Sequence, residues 1–262
     1  MQIIIPTRGR IYEQLTLQSL PGELRKRTRL VCPKREASGL YRLYNDVGVK
    51  IVIEPYPNMK LAQKRGWIVQ EWFRCGYEKI LMLDDDLTFR TRISADDWHL
   101  RTIWGEELIP EFQRIEDKLG PEYPHVGFGQ AQGNNWLEEV GWKSPGKMVC
   151  TLGYYLPIVA KECRWDLVEL RQDMCATLQL LLKGHADAVW NTTVVDQTRD
   201  APGGCSIYRT DEMSDAEARN LAARFPNYVS VGERKYGRLE VTVQWQKALR
   251  DGQRNRSRVF VC

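Results

Sequence analysis

Residues 79–89 constrain this chain more than any other stretch, because a short apolar run ends there in three consecutive aspartates. The run is too short to cross a membrane and has the length of a buried strand. Three adjacent carboxylates repel one another unless water or a cation lies beside them. On an extended backbone Asp84 and Asp86 point to one side and Asp85 to the other. Two carboxylates on one side can hold Mg²⁺ or Mn²⁺, and an acidic turn capping the next element is the alternative.

The composition is that of a globular protein. The 262 residues are 43% hydrophobic and 27% charged, and no apolar run approaches the about 18 residues of a membrane span. Seven cysteines without a CxxC pair argue against structural zinc and against a disulfide framework. The net charge of +4 permits a nucleic-acid partner without requiring one. The N-terminus enters a strand-like run directly, so we expect no signal peptide. From the cysteine usage we expect a cytoplasmic location, and from the lack of a long apolar run no membrane span.

Strands and helices alternate in the part of the chain that leads to the aspartates. The pattern predicts strands at residues 2–5, 29–33, 50–55 and 79–83. It predicts helices at residues 15–20 and at 59–75, the second capped by Asn58. This β-α-β-β-α-β order is typical of a mostly parallel sheet flanked by helices.

Two polar motifs follow strands of this predicted sheet. One is Thr7-Arg8-Gly9-Arg10, where two arginines and helix amides can converge on an anion, although solvated loop arginines are the alternative. The other is the aspartate triplet. Open sheets of this kind bind ligands at the carboxyl ends of their strands. We therefore expect both motifs to lie at one edge of the sheet.

The middle of the chain predicts further elements of an α/β domain. We expect a helix at 97–119, a strand at 125–129, a loop at 131–146, an apolar run at 148–159, a helix ending at Gly184 and a strand at 188–195. Asp173 begins that second helix, where it can cap the amides or act as a general base. Pro202, Gly203 and Gly204 form a loop that can act as a lid.

The end of the chain predicts a small extension. Ser214 and Glu217 have capping-box spacing for a short helix. Residues 228–231 and 239–245 predict a hairpin across the turn 235–238. The tail at 250–258 is rich in arginine and is either solvated or in contact with phosphates. We expect one domain at 1–205 and an extension of helix, hairpin and basic tail at 206–262.

Taken in order, these motifs resemble those of a glycosyltransferase with the GT-A fold, over roughly residues 1–200. They are the opening strand with its Thr7–Arg10 motif, a helix with Lys64-Arg65, the Asp-x-Asp at 84–86 and Gln172-Asp173 at a helix start. Within that fold, the Gly203-Gly204-Cys205 loop and compact C-terminal unit are similar to phage-type TET-associated DNA glycosyltransferases. Those enzymes decorate hydroxymethylated pyrimidines in DNA. The resemblance implies an α/β, Rossmann-like GT-A domain.

The resemblance also implies roles for individual residues. The nucleotide-sugar site would comprise Pro6, Thr7, Arg8, Arg10, Arg65, Asp84 and Asp85. Asp84 and Asp86 would hold Mn²⁺ or Mg²⁺, which neutralises the departing diphosphate. Asp173 would accept the proton of the acceptor hydroxyl, which implies inversion. Gln172 departs from the pattern, because such families often carry an acid there. Asp196 and His185 are candidates for a third metal ligand.

We therefore expect a metal-dependent transferase that moves a sugar from a nucleotide sugar, with UDP preferred, to a hydroxymethyl pyrimidine in phage DNA. It would act in the host cytoplasm if the chain is phage-encoded. Such a base must be flipped out or single-stranded, and Trp136 and Trp142 are candidates to stack on it. Alternatives are a glycan, protein or small-molecule acceptor, a nucleotidyltransferase, and a non-catalytic DNA-binding module. The single glycine after the first strand argues against a nucleotidyltransferase.

Overall fold

A computed structural model describes residues 1–94, 99–132, 140–197, 203–233 and 239–259. Its first part alternates strands and helices up to the aspartate triplet. The elements are β1 (Gln2–Pro6), α1 (Leu15–Ser19), α2 (Gly22–Lys26), β2 (Thr28–Cys32), α3 (Lys34–Tyr44), β3 (Lys50–Ile53), α4 (Leu61–Arg74) and β4 (Lys79–Leu83). A 3₁₀ turn, Asn45–Val47, follows α3. The four predicted strands are confirmed.

The second part completes the sheet. Its elements are β5 (Leu87–Arg92), β6 (Leu100–Ile103), α5 (Leu108–Lys118), β7 (His125–Gln130), β8 (Trp142–Lys143), β9 (Thr151–Tyr155), α6 (Leu156–Glu162), α7 (Gln172–Leu182) and β10 (Asp187–Gln197). The C-terminal part contains α8 (Asp211–Arg224), β11 (Val229–Glu233), β12 (Leu239–Val243) and α9 (Trp245–Val259). No helix in the described ranges is long and apolar enough to cross a bilayer.

The main sheet is mostly parallel, as the sequence predicts. Its strand order is β3-β2-β1-β4-β9-β7-β10-β5-β6, and β8 pairs with β10. Within the described residues all strands point the same way except β5, β8 and β9. The sheet therefore presents the carboxyl ends of β1, β4, β7 and β10 at one edge, and the antiparallel β9 begins at that edge.

Alternation along the inner strands divides the core between the two faces of the sheet. Ile3 and Leu81 belong to one buried cluster, with Phe89, Phe112 and Leu30. Their neighbours in the chain belong to the cluster on the other face, among them Ile4, Val31, Ile80 and Met82. Strands buried on both faces read as continuous apolar runs, which is why β1 and β4 are recognisable in the sequence.

The C-terminal elements pack on α7. A third buried cluster joins Leu178 and Leu181 of α7 to Leu221, Val229 and Ala248. At Gly252 of α9 an added Cβ would lie 2.0 Å from the carbonyl oxygen of Leu181, so only glycine allows this close approach. The basic tail of the sequence analysis is therefore a helix whose inner face is anchored to the main body.

Four sequence expectations about the helices were wrong. Residues 34–44 form α3, so the opening order is β-α-β-α-β-α-β with two short helices after β1. Residues 97–119 are not one helix, because β6 precedes α5 and pairs with β5. Asn58 does not cap α4, whose N-cap is Lys60. Helix α8 begins earlier than the predicted capping box, with Thr210 accepting a hydrogen bond from the backbone N–H of Met213.

One buried carboxylate lies away from the edge formed by the strand ends. Asp187 begins β10 and is 1% exposed. Its Oδ1 accepts a hydrogen bond of 2.9 Å from the backbone N–H of Gly146. Its Oδ2 has no hydrogen-bond partner among the described residues. Burial raises the pKa of Asp187 to about 7, although the Gly146 amide opposes the shift.

Candidate functional site

A cleft of about 780 Å³ opens at the carboxyl ends of β1 and β4. All the site residues predicted from the sequence line it: Pro6, Thr7, Arg8, Arg10, Arg65, Asp84, Asp85, Asp86 and Asp173. The two motifs therefore lie together at one edge of the sheet. The C-terminal part also contributes to this cleft, through residues of α8 and β12.

Asp85 holds the Thr7–Arg10 loop against the end of β4. Its Oδ2 accepts a hydrogen bond of 2.5 Å from the Thr7 hydroxyl, and its Oδ1 pairs with the Arg10 guanidinium. Gln14 donates 2.7 Å hydrogen bonds to the Thr7 hydroxyl and to the Arg10 carbonyl. Burial raises the pKa of Asp85 to about 6, while Arg10 opposes the shift. Asp85 thus fixes the shape of the loop.

Asp86 is held by the same arginine, Arg10, and by a side chain at the end of β10. Its Oδ2 lies 2.9 Å from Arg10 Nη1. Its Oδ1 accepts a 2.6 Å hydrogen bond from Gln197 at the end of β10. The simple alternation expected for residues 84–86 does not hold, because β4 ends at Leu83 and the aspartates lie in a turn. Arg10 therefore contacts both Asp85 and Asp86.

Arg65 links Asp84 to the start of α7. Its side chain is 2% exposed and its Nη2 lies 2.6 Å from Asp84 Oδ1, while its Nη1 lies 4.0 Å from Asp173 Oδ2. Burial alone would lower the pKa of Arg65, but Asp84 and Asp173 outweigh it and the pKa is raised. Burial raises the pKa of Asp84, and Arg65 opposes that shift. The buried guanidinium thus brings the carboxylates of two distant elements together.

Asp173 lies in the first turn of α7, where its Oδ1 accepts a 2.8 Å hydrogen bond from the backbone N–H of Met174. It lines the cleft together with Gln172. The residue before them, Arg171, has a left-handed backbone with φ 61°. Strain of this kind clusters at functional sites. Both suggested roles of Asp173, helix-terminus carboxylate and proton acceptor, are compatible with this position.

Lys64 is buried, although its position near the start of the helix was also compatible with a solvent-exposed charge. Its Nζ lies 2.9 Å from Glu54 Oε2, and the two side chains are 3% and 1% exposed. It also donates a 3.2 Å hydrogen bond to the Thr7 carbonyl. Lys64 of α4 therefore joins the end of β3 to the loop after β1. Arg8 differs, because it donates to the neutral oxygens of Asn58 and Met59, and no carboxylate in the described ranges pairs with it.

The segment Gly203–Tyr208 covers the Thr7–Arg10 loop. The backbone N–H of Gly204 donates a 2.8 Å hydrogen bond to the Arg8 carbonyl. An added Cβ at Gly203, which has φ +94°, would lie 2.6 Å from Arg10 Cγ. The Tyr208 hydroxyl accepts a 3.2 Å hydrogen bond from the backbone N–H of Leu61. Gly203 and Gly204 of the predicted lid therefore contact the loop, and Pro202 lies outside the described residues.

Other candidates are placed elsewhere. His185 contacts Glu162 and Arg256 rather than the cleft. Asp196 pairs with Arg90 at 3.1 Å and lines a separate recess. The ring of Trp142 packs on that of Trp190 at a centroid distance of 5.0 Å, and Trp136 lies outside the described residues.

The sequence analysis missed several residues that line the cleft: Lys147, Arg171, Gln197, Tyr208 and Arg209. Arg171 adjoins the Gln172-Asp173 pair, which was a usable signal. The others follow irregular segments or end a long strand, and no local pattern marks them.

The donor atoms suit a hard divalent cation. Asp84 and Asp86 both line the cleft and supply carboxylate oxygens, and Mg²⁺ typically takes one or two carboxylates with water and substrate phosphates. Arg10 and Gln197 now occupy the Asp86 oxygens, so a cation there would displace one of them. Within the described ranges no three His, Cys, Asp or Glu side chains form a metal cluster. Asp84 and Asp86 are the residues whose oxygen atoms would hold such a cation, after a displacement of this kind.

Comparisons with known proteins show the family of this chain. The model of the TET-associated glycosyltransferase family matches residues 1–204. The beta-glucosyl-HMC-alpha-glucosyl-transferase of Enterobacteria phage T2 is 22% identical over 244 residues, covering 86% of this chain and 81% of the relative. The protein of the same name from Enterobacteria phage T6 is 23% identical over 247 residues, with the same coverage of 86% and 81%.

Among solved structures, residues 1–349 of S. aureus TarS in complex with UDP align with a TM-score of 0.48 at 12% identity, covering 87% of this chain and 66% of that one. The match to the family model extends from the first strand through β10 to the glycine pair that covers the Thr7–Arg10 loop. The chain belongs to the TET-associated glycosyltransferase family, and it is therefore a transferase enzyme rather than a non-catalytic DNA-binding module.

Proposed function

We propose that this enzyme transfers a sugar from a nucleotide sugar, with UDP preferred, to the hydroxyl of a 5-hydroxymethyl pyrimidine in DNA. The observation that carries the proposal is the buried Arg65, which joins Asp84 at the donor end of the cleft to Asp173. The acceptor is proposed because the T2 and T6 relatives are named for transfer to a glucosylated hydroxymethylcytosine.

The donor would lie along the carboxyl ends of β1 and β4. Arg8 lines the cleft without a carboxylate partner among the described residues, so its charge is available to a phosphate. Asp84 and Asp86 would hold Mn²⁺ or Mg²⁺, which would neutralise charge on the leaving diphosphate. Thr7 and Arg10 keep Asp85 and Asp86 in place. These residues bind and orient the donor.

The transfer step would be a single displacement. The acceptor oxygen forms a bond to the anomeric carbon as the bond from that carbon to the diphosphate oxygen breaks. Asp173 would accept the hydroxyl proton, and the nucleoside diphosphate would leave with the bonding electrons. Arg65, whose Nη1 lies 4.0 Å from Asp173 Oδ2, would help to orient this carboxylate. This assignment gives an inverted product.

A thermal-shift panel of UDP-, GDP-, CDP- and dTDP-sugars, with Mn²⁺ or with EDTA, tests the donor site. A ligand that binds only the folded state raises the melting temperature by mass action. We expect a shift with one nucleotide that requires metal and is lost in Asp86→Asn. Asp117→Asn, on the exposed face of α5, is the matched control and should retain the shift. No shift with any nucleotide would contradict the donor site.

Mass spectrometry of a hydroxymethylcytosine oligonucleotide then tests the acceptor, and NMR of the new anomeric proton tests inversion. A second candidate acceptor is a glucose already attached to that base, because the two phage relatives are named for it. Transfer only to the glucosylated oligonucleotide would favour this candidate. A product that retains the donor configuration would exclude Asp173 as the base of a single displacement.

A further inference from the structure

A second, smaller recess lies beside the cleft. It has a volume of about 160 Å³ and is lined, among the described residues, by Gln130, Gln132, Cys150, Val195, Asp196 and Gln197. Cys150 and Gln197 also line the large cleft, so the two spaces adjoin at these residues. The proposed mechanism gives this recess no role.

The sheet places the recess next to the aspartates. Gln130 ends β7 and pairs in register with Val195 of β10, and β9 lies between β7 and β4. Cys150 precedes β9, and its carbonyl oxygen accepts a hydrogen bond of 2.9 Å from the backbone N–H of Asp84. The Gln197 side chain donates a hydrogen bond of 2.6 Å to Asp86 and accepts one of 3.3 Å from the Cys150 thiol. Two residues that line the recess, Cys150 and Gln197, therefore contact Asp84 and Asp86 directly.

The chemistry of the recess differs from that of the cleft. Arginines and lysines line the cleft at several positions, among them Arg8, Arg10 and Arg65. No lysine or arginine lines the recess within the described ranges. Three glutamines line it instead, and each carboxamide can both donate and accept hydrogen bonds. The one carboxylate among its described lining residues, Asp196, is paired with Arg90 at 3.1 Å. Such a lining suits a neutral ring with donors and acceptors on its edge, and it does not suit a phosphate.

The size of the recess agrees with a single ring. A cavity of about 150 Å³ in another protein holds one benzene molecule, and this recess is of similar volume, about 160 Å³. We propose that it binds the pyrimidine ring of the acceptor, with Gln130 and Gln132 contacting the edge of the base. The inference rests on the proposed function, because it takes the acceptor to be a modified base withdrawn from the stack.

Steady-state kinetics with a single-stranded hydroxymethylcytosine oligonucleotide test the inference. Each hydrogen bond lost in Gln130→Ala or Gln132→Ala should raise the acceptor KM about three- to ten-fold. The donor KM should change less than two-fold, which separates recognition of the base from a general loss of structure. Gln253→Ala, on an exposed position of α9, is the control and should leave both constants unchanged.

Binding of the free nucleoside 5-hydroxymethyldeoxycytidine, followed by saturation-transfer NMR, separates the two hypotheses. Turnover of the oligonucleotide with unchanged acceptor KM in both variants would overturn the recess and leave the function standing. Nucleoside binding that is lost in both variants, without any turnover by the wild type, would support the recess and refute the function. Absence of nucleoside binding to the wild type would overturn the recess.

Discussion

Replacing Asp187 with asparagine should remove a pH dependence of stability that this structure assigns to one carboxylate. Asp187 is 1% exposed and its Oδ2 has no hydrogen-bond partner among the described residues, so its charged form is poorly solvated. Its pKa is raised from 3.8 to about 7 by burial. The folded protein therefore holds this proton to a higher pH than the unfolded chain does. The stabilisation is complete below about pH 4 and is lost as the pH rises through 7.

The pKa difference sets the size of the effect. A rise from 3.8 to about 7 corresponds to about 4 kcal/mol of unfolding free energy between the protonated and ionised forms. In Asp187→Asn the side-chain oxygen can still accept the Gly146 N–H, and no charge forms at any pH. Between pH 4 and pH 8, the free energy of unfolding of the variant should rise by about 4 kcal/mol relative to that of the wild type.

Urea unfolding of both proteins at several pH values between 4 and 8 measures this gain. The difference between the two proteins cancels the other titrating groups. Asp117→Asn, at an exposed position on α5, should follow the wild type throughout. Parallel pH profiles for the wild type and Asp187→Asn would refute the reasoning, because they would mean that Asp187 titrates alike in the folded and unfolded states.

Three further predictions concern Asp173, Gly203 and the arginines of α9. Asp173→Asn should lower kcat about 10²- to 10⁴-fold while the nucleotide thermal shift persists, and an unchanged kcat would exclude it as the base. Gly203→Ala should lower the free energy of unfolding, measured in urea, by about 1–3 kcal/mol and weaken nucleotide binding, because its Cβ would meet Arg10. The control Gly232→Ala, with open space around the added Cβ, should change neither. Replacing the exposed Arg250 and Arg254 with alanine should reduce the slope of the logarithm of the DNA-binding constant against the logarithm of the salt concentration by about one to two. An unchanged slope would mean that the DNA does not contact this face of α9.

The parts of the fold that the sequence predicted are those in which local pattern and tertiary packing agree. β1 and β4 are buried on both faces, and α7 ends in a glycine after a leucine-rich run. Helix α3 was missed because its sequence is polar and aromatic, and only Glu36 and Leu40 are buried in it. β6 was taken for helix because its pairing with β5 is a tertiary contact that helical periodicity cannot reveal.

The residues of the candidate site also divide into those that local sequence pattern predicted and those that depend on tertiary contacts. Thr7, Arg10 and Asp86 lie in the segments that follow β1 and β4, so the rule that ligands bind at strand ends was sufficient to predict their position at this edge of the sheet. Gln197 was not found, because its contact with Asp86 spans 111 positions of the chain and depends on the order of strands in the sheet. The burial of Lys64 could not be foreseen either, since it depends on Glu54 at the end of another strand.

The segment Gly203–Tyr208 has a consequence for how the enzyme responds to its donor. It is bonded to Arg8 at one end and to Leu61 at the other, and it continues directly into Thr210, the N-cap of α8. A nucleotide that orders the Arg8 loop therefore also restrains the first turn of α8, and the amide protons there should exchange more slowly with solvent deuterium. Occupancy of the donor site becomes measurable as exchange protection in a helix that follows the last strand of the main sheet.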